Sequence, residues 1–301
     1  MKRIALLFLV FVVTFTLFAC ADVPSDEIQK PNSVSPSPQD DSQEKETTAP
    51  VSEPVASISE TVLVDEAGIK ITAKSFESNG FWGPEVKLLI ENNSGIDLTF
   101  QTRNSSVNGY MAETMMSVDV VDGKKANDSL CFSTADMEAC GIDAIADMEF
   151  SFHVFSTDTW EDYYNSPMIQ LKTTNADTYD YSFDDSGDVV HDEDGIKIVV
   201  KGLSEDDSIF GPGVVVYIEN NSNQNITIQA QDVSINGFMI ESIFSSDVLV
   251  GKHAVDSITF FSSDLEENEI TQIETIELTF HIFNTETWDT ITYSDPIYME
   301  Y

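Results

Sequence analysis

Basic residues are scarce in this sequence of 301 residues, in which 14 Lys and Arg stand against 53 Asp and Glu. The formal net charge is −39. Nucleic acid is therefore not an expected partner, because binding its phosphates requires clustered Lys and Arg. A polybasic contact with anionic lipid is ruled out for the same reason, so any membrane association must depend on a lipid anchor. The charge favours solubility and attraction to cationic partners.

Catalytic motifs and helical patterns are missing as well. The sequence contains no Gly-X-Ser-X-Gly elbow, no phosphate-binding Gly-rich loop and no His-Glu-X-X-His helix. We therefore expect a protein that is not an enzyme and uses no cofactor, with a hydrolase as the remote alternative. No window carries a sustained apolar stripe of helical period, which argues against a solute receptor built from two α/β lobes.

The first 20 residues predict a lipoprotein signal peptide. A short basic start precedes the apolar run Ile4 to Phe18, which is shorter than the ~20 residues of a membrane-spanning helix. Leu17 and Ala19 before Cys20 resemble the lipobox of bacterial lipoproteins, in which the cysteine is lipidated. An uncleaved N-terminal anchor is the alternative. Residues 21–59 follow, rich in Pro, Ser and acidic residues and without aromatics, and predict a disordered linker.

Residues 83–160 are repeated without gaps as residues 211–288. The shared pairs include Gly83-Pro84 and Gly211-Pro212, Asn108-Gly109 and Asn236-Gly237, and Thr159-Trp160 and Thr287-Trp288. A steady register of this kind predicts two copies of one folded unit.

Apolar residues alternate with polar ones in both copies, which is typical of half-buried strands. The alternating sets include Val86, Leu88 and Ile90 with Val214, Val216 and Ile218, and Met148, Phe150, Phe152 and Val154 with Ile276, Leu278, Phe280 and Ile282. Turn signals separate these runs, so we expect about seven to nine antiparallel strands per copy in an all-β sandwich. One helical turn is expected at Thr134–Glu138 and another at Ser262–Glu267.

Three features of each copy resemble a known class of domain. They are the openings Gly68–Ile71 and Gly195–Ile198, the strand that runs into Glu-Asn-Asn-Ser, and the closing Phe-His-Val/Ile-Phe strand. They are similar to immunoglobulin-like β-sandwich domains of unknown function in lipoproteins of Gram-positive bacteria. The resemblance implies two tandem domains, residues 60–184 and 185–301, without transferable catalytic residues. Alternating aromatics in residues 179–183 predict a last edge strand for the first domain.

Cys131 and Cys140 are the cysteines that remain after Cys20, and both fall in the first copy. Outside the cytoplasm such a pair predicts a disulfide that closes a small loop, with two free thiols as the alternative. Because Thr259 and Asn268 replace them in the second copy, the bridge would be local.

Two histidines and one acidic turn are candidate metal ligands. His153 and its counterpart His281 stand between inward-pointing neighbours, so alternation predicts ordinary surface histidines, and no His-X-His or Glu-X-X-His spacing supports a metal site. Asp192 and Asp194 are a weak calcium candidate, although a hairpin turn explains the same residues.

Aromatic residues provide the remaining candidates. Trp160 and Trp288 are expected to close the end of each core rather than to stack on a sugar. Trp82, Tyr163 and Tyr164 form the candidate patch for a cell-surface glycan or protein. In the second copy Phe210 replaces Trp82, and neither tyrosine has an aromatic equivalent. The sequence therefore predicts a lipid-anchored, extracytoplasmic protein that presents two modules for binding, adhesion or spacing. The alternative is an accessory or sensing lipoprotein of an envelope transport complex.

Overall fold

The computed structural model describes residues 56–204 and 211–301. These residues form strands almost throughout, with two helices of six residues each in the described part, which confirms the all-β prediction. The predicted signal peptide, Cys20 and nearly all of the predicted linker lie outside the described residues. Within the described ranges, no helix has the length and apolar character needed to cross a membrane.

The first copy comprises the elements from β1 to β11. They are β1 (Thr61–Glu66), β2 (Ile69–Gly80), β3 (Gly83–Asn92), β4 (Leu98–Val107), β5 (Tyr110–Met111), β6 (Thr114–Met115), β7 (Ser117–Val120), β8 (Lys124–Phe132), α1 (Thr134–Ala139), β9 (Asp147–Ser156), β10 (Asp162–Asn165) and β11 (Ile169–Lys172). The helical turn expected at Thr134–Glu138 is confirmed as α1.

The second copy repeats the same order of elements. They are β12 (Asp188–Glu193), β13 (Ile196–Ser204), β14 (Gly213–Asn220), β15 (Ile226–Ile235), β16 (Phe238–Met239), β17 (Ser242–Ile243), β18 (Ser245–Val248), β19 (Lys252–Phe260), α2 (Ser262–Glu267), β20 (Thr275–Asn284), β21 (Thr290–Tyr293) and β22 (Ile297–Glu300). From β4 onward, every element of the first copy recurs at the matching repeat position, so the sequence repeat is also a structural repeat.

The strands form three sheets. One has the order β1-β2-β3-β8-β6, and another has the order β16-β15-β20-β21 with β18 and β22 paired to β15 and β20. The long sheet has the order β10-β9-β4-β5-β19-β14-β13-β12, with β11, β7 and β17 paired to β9, β4 and β19. It passes from the first copy to the second through one parallel bridge between Tyr110 and His253. The other described strand pairs are antiparallel.

Each copy has its own apolar core, filled from strands of two sheets. The first core contains Val86, Leu88 and Ile90 of β3 together with Phe150, Phe152 and Val154 of β9. The second contains the matching residues of β14 and β20. These alternating residues are buried as predicted, because period 2 places them on one face of each strand.

Asn92 explains why Glu-Asn-Asn-Ser recurs in both copies. Its Nδ2 donates to the carbonyl oxygens of Ile96, at 2.8 Å, and Val120, at 2.7 Å. Its Oδ1 accepts from the Ser94 amide at 3.0 Å. Asn220 makes the equivalent bonds in the second copy. Because a buried amide is costly unless it is hydrogen-bonded, these asparagines fix the turn after β3 and β14.

The prediction of an edge strand in residues 179–183 is wrong. The segment after β11 runs through turns and irregular structure, and Phe183 packs against the second copy instead. The alternation of Tyr179, Tyr181 and Phe183 therefore does not mark pairing in a sheet, and Tyr181 is exposed.

Candidate functional site

A small aromatic cluster joins the two copies. The Phe183 ring stacks on His253 with 3.7 Å between centroids, and Tyr110 contacts Phe183 at 5.2 Å. The Tyr217 hydroxyl lies 2.6 Å from His253 Nδ1. Burial lowers the pKa of His253 and raises the pKa of the Tyr217 hydroxyl. The connecting segment thus supplies the ring that packs between the copies.

Polar contacts reinforce this interface. The Lys252 ammonium lies 2.7 Å from Glu149 Oε1, with side chains only 14% and 23% exposed. The His253 amide donates to the Gly109 carbonyl at 3.0 Å. Glu149 is on β9 and Lys252 on β19, so the ion pair crosses from one copy to the other.

The predicted disulfide is not formed, and both described cysteines are free. Cys131 is buried on β8, and its thiol donates to Glu85 Oε2 at 3.7 Å. Cys140 ends α1 and packs against the aromatic cluster between the copies. Burial raises the pKa of the Cys131 thiol and raises that of Cys140 to about 12. Each thiol is therefore held in its own packed environment and in its protonated form.

The Asp192–Asp194 segment forms the hairpin between β12 and β13. Asp194 and Gly195 have φ values of 53° and 79°, as a two-residue turn with two left-handed positions requires. Asp192 pairs with Lys197 across the hairpin. In the part of the chain that the structure describes, no three His, Cys, Asp or Glu side chains are grouped so as to hold a metal ion.

The predicted patch of Trp82, Tyr163 and Tyr164 is not assembled. Trp82 is 66% exposed in the turn between β2 and β3. The two tyrosines donate hydrogen bonds to the turn between β1 and β2 instead. The Tyr163 hydroxyl donates to the Ala67 carbonyl at 2.7 Å, and the Tyr164 hydroxyl donates to the Glu66 carboxylate at 3.2 Å. Because β2 spans 12 residues between these turns, it separates Trp82 from the tyrosines.

Trp160 and Trp288 do not close the cores, so that prediction is wrong. They are 76% and 73% exposed. Each lies flat on the phenylalanine five residues earlier, with ring centroids 5.6 Å apart and planes at 19° in both copies. Phe155 and Phe283 point away from the cores and are buried because these tryptophans cover them.

The backbone of both tryptophans is left-handed, with φ values of 62° and 64°. Such a conformation is unfavourable for a bulky side chain and is usually left to glycine. The Trp160 amide donates to the Ser156 carbonyl at 2.9 Å, and the Trp288 amide donates to the Asn284 carbonyl at the same distance. These bonds close the hairpins β9–β10 and β20–β21 and direct each indole over the outer face of its sheet.

His153 lies beside Phe155 on this outer face, at 5.1 Å between ring centroids. Contrary to the prediction it is buried, because the Asp162 carboxylate covers it at 2.7 Å from Nε2. This hydrogen bond lowers the pKa of the Asp162 carboxyl. In the second copy His281 is half-buried and stacks on Tyr293, with centroids 4.6 Å apart. We call the outward-facing Trp, Phe and His of each copy its aromatic platform.

A row of polar residues lies beside each platform, and its residue types are identical in the two copies. The row consists of Thr99, Gln101, Ser117 and Asp119 in the first copy and of Thr227, Gln229, Ser245 and Asp247 in the second. Thr99 Oγ1 donates to Asp119 at 2.6 Å, and Thr227 Oγ1 donates to Asp247 at 2.6 Å. The glutamines donate to the serines at 3.2 and 3.3 Å. Hydroxyl, amide and carboxylate groups thus stand next to the exposed rings.

A cavity of about 390 Å³ borders the second polar row. Ser245 and Asp247 line it together with Asp256 of β19 and with Glu113 and Asp136 of the first copy. Burial and the nearby Asp136 and Glu113 raise the pKa of the Asp256 carboxyl. The space is polar and acidic, and residues of both copies line it.

Reasoning from the sequence missed the platforms, although the repeat contains a signal for them. Positions that face outward on a strand are not required by the core, yet the platform and polar-row residues are the same in both copies. Reading repeat identity separately for inward and outward positions would have singled them out. The sequence instead predicted that the two shared tryptophans close the cores.

The comparisons with known proteins add little to this description. No protein-family model and no curated protein matches the chain. Among solved structures, the crystal structure of the YadV chaperone covers 71% of this chain and 92% of its own, with 9% sequence identity and a TM-score of 0.24. A TM-score this low supports no inference about fold or function.

Proposed function

We propose that this chain is an extracytoplasmic, lipid-anchored protein that binds a polysaccharide through the two aromatic platforms. Each platform belongs to one of two tandem immunoglobulin-like modules, residues 60–184 and 185–301. The chemistry is binding without catalysis.

The outward-facing aromatic stack, present with the same geometry in both copies, is the observation that carries this proposal. An exposed tryptophan in a left-handed conformation costs about 1 kcal/mol relative to glycine. Core packing does not require it, because Trp160 and Trp288 lie outside both apolar cores. A ligand that contacts the open face of each indole explains why tryptophan occupies both positions.

The surrounding groups favour a glycan. The open face of an indole packs against the C–H face of a sugar ring, while hydroxyl, amide and carboxylate groups bond the sugar hydroxyls. Ser117, Gln101 and Asp119 supply these groups in the first copy. The net charge of −39 disfavours anionic polymers, so we expect a neutral or amino-sugar chain.

Two equal platforms favour a polymer over a single small sugar. A repeating ligand that reaches both platforms gains avidity, because the second contact forms within one complex. A tether at Cys20 and a linker over residues 21–59 would present the pair at the cell surface. Antiparallel strands and one core per copy support the immunoglobulin-like assignment.

A glycan array tests this function. The chain from residue 21 onward, with no lipid attached, is applied to immobilised neutral and amino-sugar oligosaccharides at 0.15 M salt. We expect saturable binding to at least one oligosaccharide, and its loss in Trp160→Ala/Trp288→Ala. Trp82→Ala is the matched control, because Trp82 is also exposed but lies on neither platform. Absence of binding to every glycan, or equal loss in the control, would refute the proposal.

A further inference from the structure

The second copy contains a cavity of about 260 Å³ at the edge of its sheets. Residues of β12 form one wall, and Tyr293 and Asp295 at the end of β21 form the other. The β12 residues that line it are Val189, Val190, His191, Asp192 and Glu193. The cavity thus lies between the last strand of the long sheet and the opposite sheet.

His191 is the unusual residue in this wall. It is only 7% exposed, and its Nε2 has no hydrogen-bond partner among the described residues. The matching position of the first copy is Val64, which is packed in the apolar core and pairs with Ile71 as His191 pairs with Ile198. A buried polar atom without a partner is costly, so replacing an apolar core residue by histidine indicates a binding role for that nitrogen.

The space beside His191 is open because two tyrosines of the first copy are absent. In the first copy Tyr163 and Tyr164 cross to the turn after β1 and donate to it. Ile291 replaces Tyr163 and has no hydroxyl. Thr292 replaces Tyr164, and its hydroxyl donates to the Tyr293 carbonyl at 3.2 Å. The second copy therefore lacks these two ties across the edge of the sheets.

The lining of the cavity selects for a cation. Asp192, Glu193 and Asp295 contribute carboxylates, and no Lys or Arg lines the cavity. The nearby Lys197 ammonium is 2.7 Å from Asp185. Tyr293 and Asp295 stand where the first copy has Asn165 and Pro167, so the aromatic wall and one of the carboxylates belong to the second copy alone.

An organic cation fits this set better than a metal ion. Within the described residues no three His, Cys, Asp or Glu side chains are grouped to hold a metal. An imidazole nitrogen can accept an N–H bond, carboxylates pair with the charge, and an aromatic ring attracts a cation over its face. We propose that this cavity binds a guanidinium or primary ammonium group, with His191, Asp192 and Tyr293 as its contacts.

Titration calorimetry with agmatine tests the proposal, because agmatine carries a guanidinium at one end and an ammonium at the other. Butylurea is the control compound, with a planar head of similar shape and no charge. At pH 7.5 and 0.15 M salt, which suppresses diffuse attraction, we expect saturable binding of agmatine and none of butylurea. His191→Val, which restores the residue of the first copy, should weaken agmatine binding about tenfold.

Paired variants separate this site from the general negative charge. Asp192→Asn should weaken agmatine binding about tenfold, whereas Asp65→Asn, the same change in the matching hairpin of the first copy, should leave it unchanged. Tyr293→Asn, at an exposed position, repeats the test if His191→Val alters the melting curve. The proposal would be overturned by an equal loss of agmatine affinity in Asp65→Asn, or by unchanged agmatine affinity in both His191→Val and Tyr293→Asn. It would also be overturned if the wild type showed no saturable binding of agmatine.

Discussion

The Trp288 ring lies on the Phe283 ring at a centroid distance of 5.6 Å and an angle of 19°. Trp160 lies on Phe155 with the same two values in the first copy. In both places the tryptophan occupies a left-handed backbone position. The stack holds an indole outside the core with one face open to solvent, at a position where glycine would be less strained.

This geometry predicts an order of stability for variants of Trp160. Both Trp160→Ala and Trp160→Gly remove the stack, but only glycine relieves the left-handed backbone. We expect the glycine variant to have the higher free energy of unfolding, by about 1 kcal/mol. Urea denaturation measures the difference. An alanine variant as stable as the glycine variant would contradict the left-handed conformation at this position.

The ion pair between Glu149 and Lys252 predicts a stability difference between two equivalent glutamates. Glu149→Gln leaves the largely buried Lys252 ammonium without its partner, so we expect a loss of about 1–3 kcal/mol. Glu277 holds the matching position of the second copy, is exposed, and forms no ion pair within the described residues. Glu277→Gln should therefore change the free energy of unfolding by less than about 0.5 kcal/mol. Similar losses in both variants would argue against the contact between copies.

The two free thiols predict a simple labelling result. Because burial raises the pKa of both thiols, to about 12 for Cys140, neither forms much thiolate at pH 8. Iodoacetamide should modify the native protein slowly and should modify Cys131 and Cys140 fully in urea without reductant. Mass spectrometry reads both results. Failure of these residues to react in urea until a reductant is added would reveal a disulfide.

His253 predicts a loss of stability in mild acid. Burial lowers its pKa in the folded protein, so the unfolded chain takes up the proton first as the pH falls. The stabilising contribution is therefore complete above about pH 6.5, the usual histidine value, and declines as the pH falls toward the lower folded value. The neighbouring Glu219 acts against this shift and Lys252 adds to it.

The comparison of wild type with His253→Phe isolates this effect, since the variant keeps a ring in the cluster and all the carboxylates. We expect the free energy of unfolding of the wild type to fall relative to the variant between about pH 7 and pH 5. A constant difference across that range would show that His253 does not titrate in the way its burial requires.

The strands and cores could be predicted from the sequence because their signal is local. Alternation at Val86, Leu88 and Ile90 places these residues on one face whatever the rest of the chain does. The two short helices were visible for a similar reason, as acidic stretches between strands.

Side-chain positions that depend on distant partners could not be predicted in this way. His153 obeys the alternation that places it on the outer face, yet Asp162 covers it. Phe183 continues an alternating pattern but packs against His253 of the other copy. Trp82 and Tyr163 were predicted to form one patch because both are aromatic residues of the first copy. Strand β2 lies between the turns that they occupy or contact, and its length could not be read from residue type.

Binding of a glycan by both platforms is the central claim, and calorimetric titration of single-platform variants tests it most directly. The longest oligosaccharide retained on the array is titrated into the wild type, Trp160→Ala, Trp288→Ala and the double variant. We expect each single variant to bind about tenfold more weakly, because avidity is lost, and the double variant to show no binding. Wild-type affinity in the double variant would contradict the account.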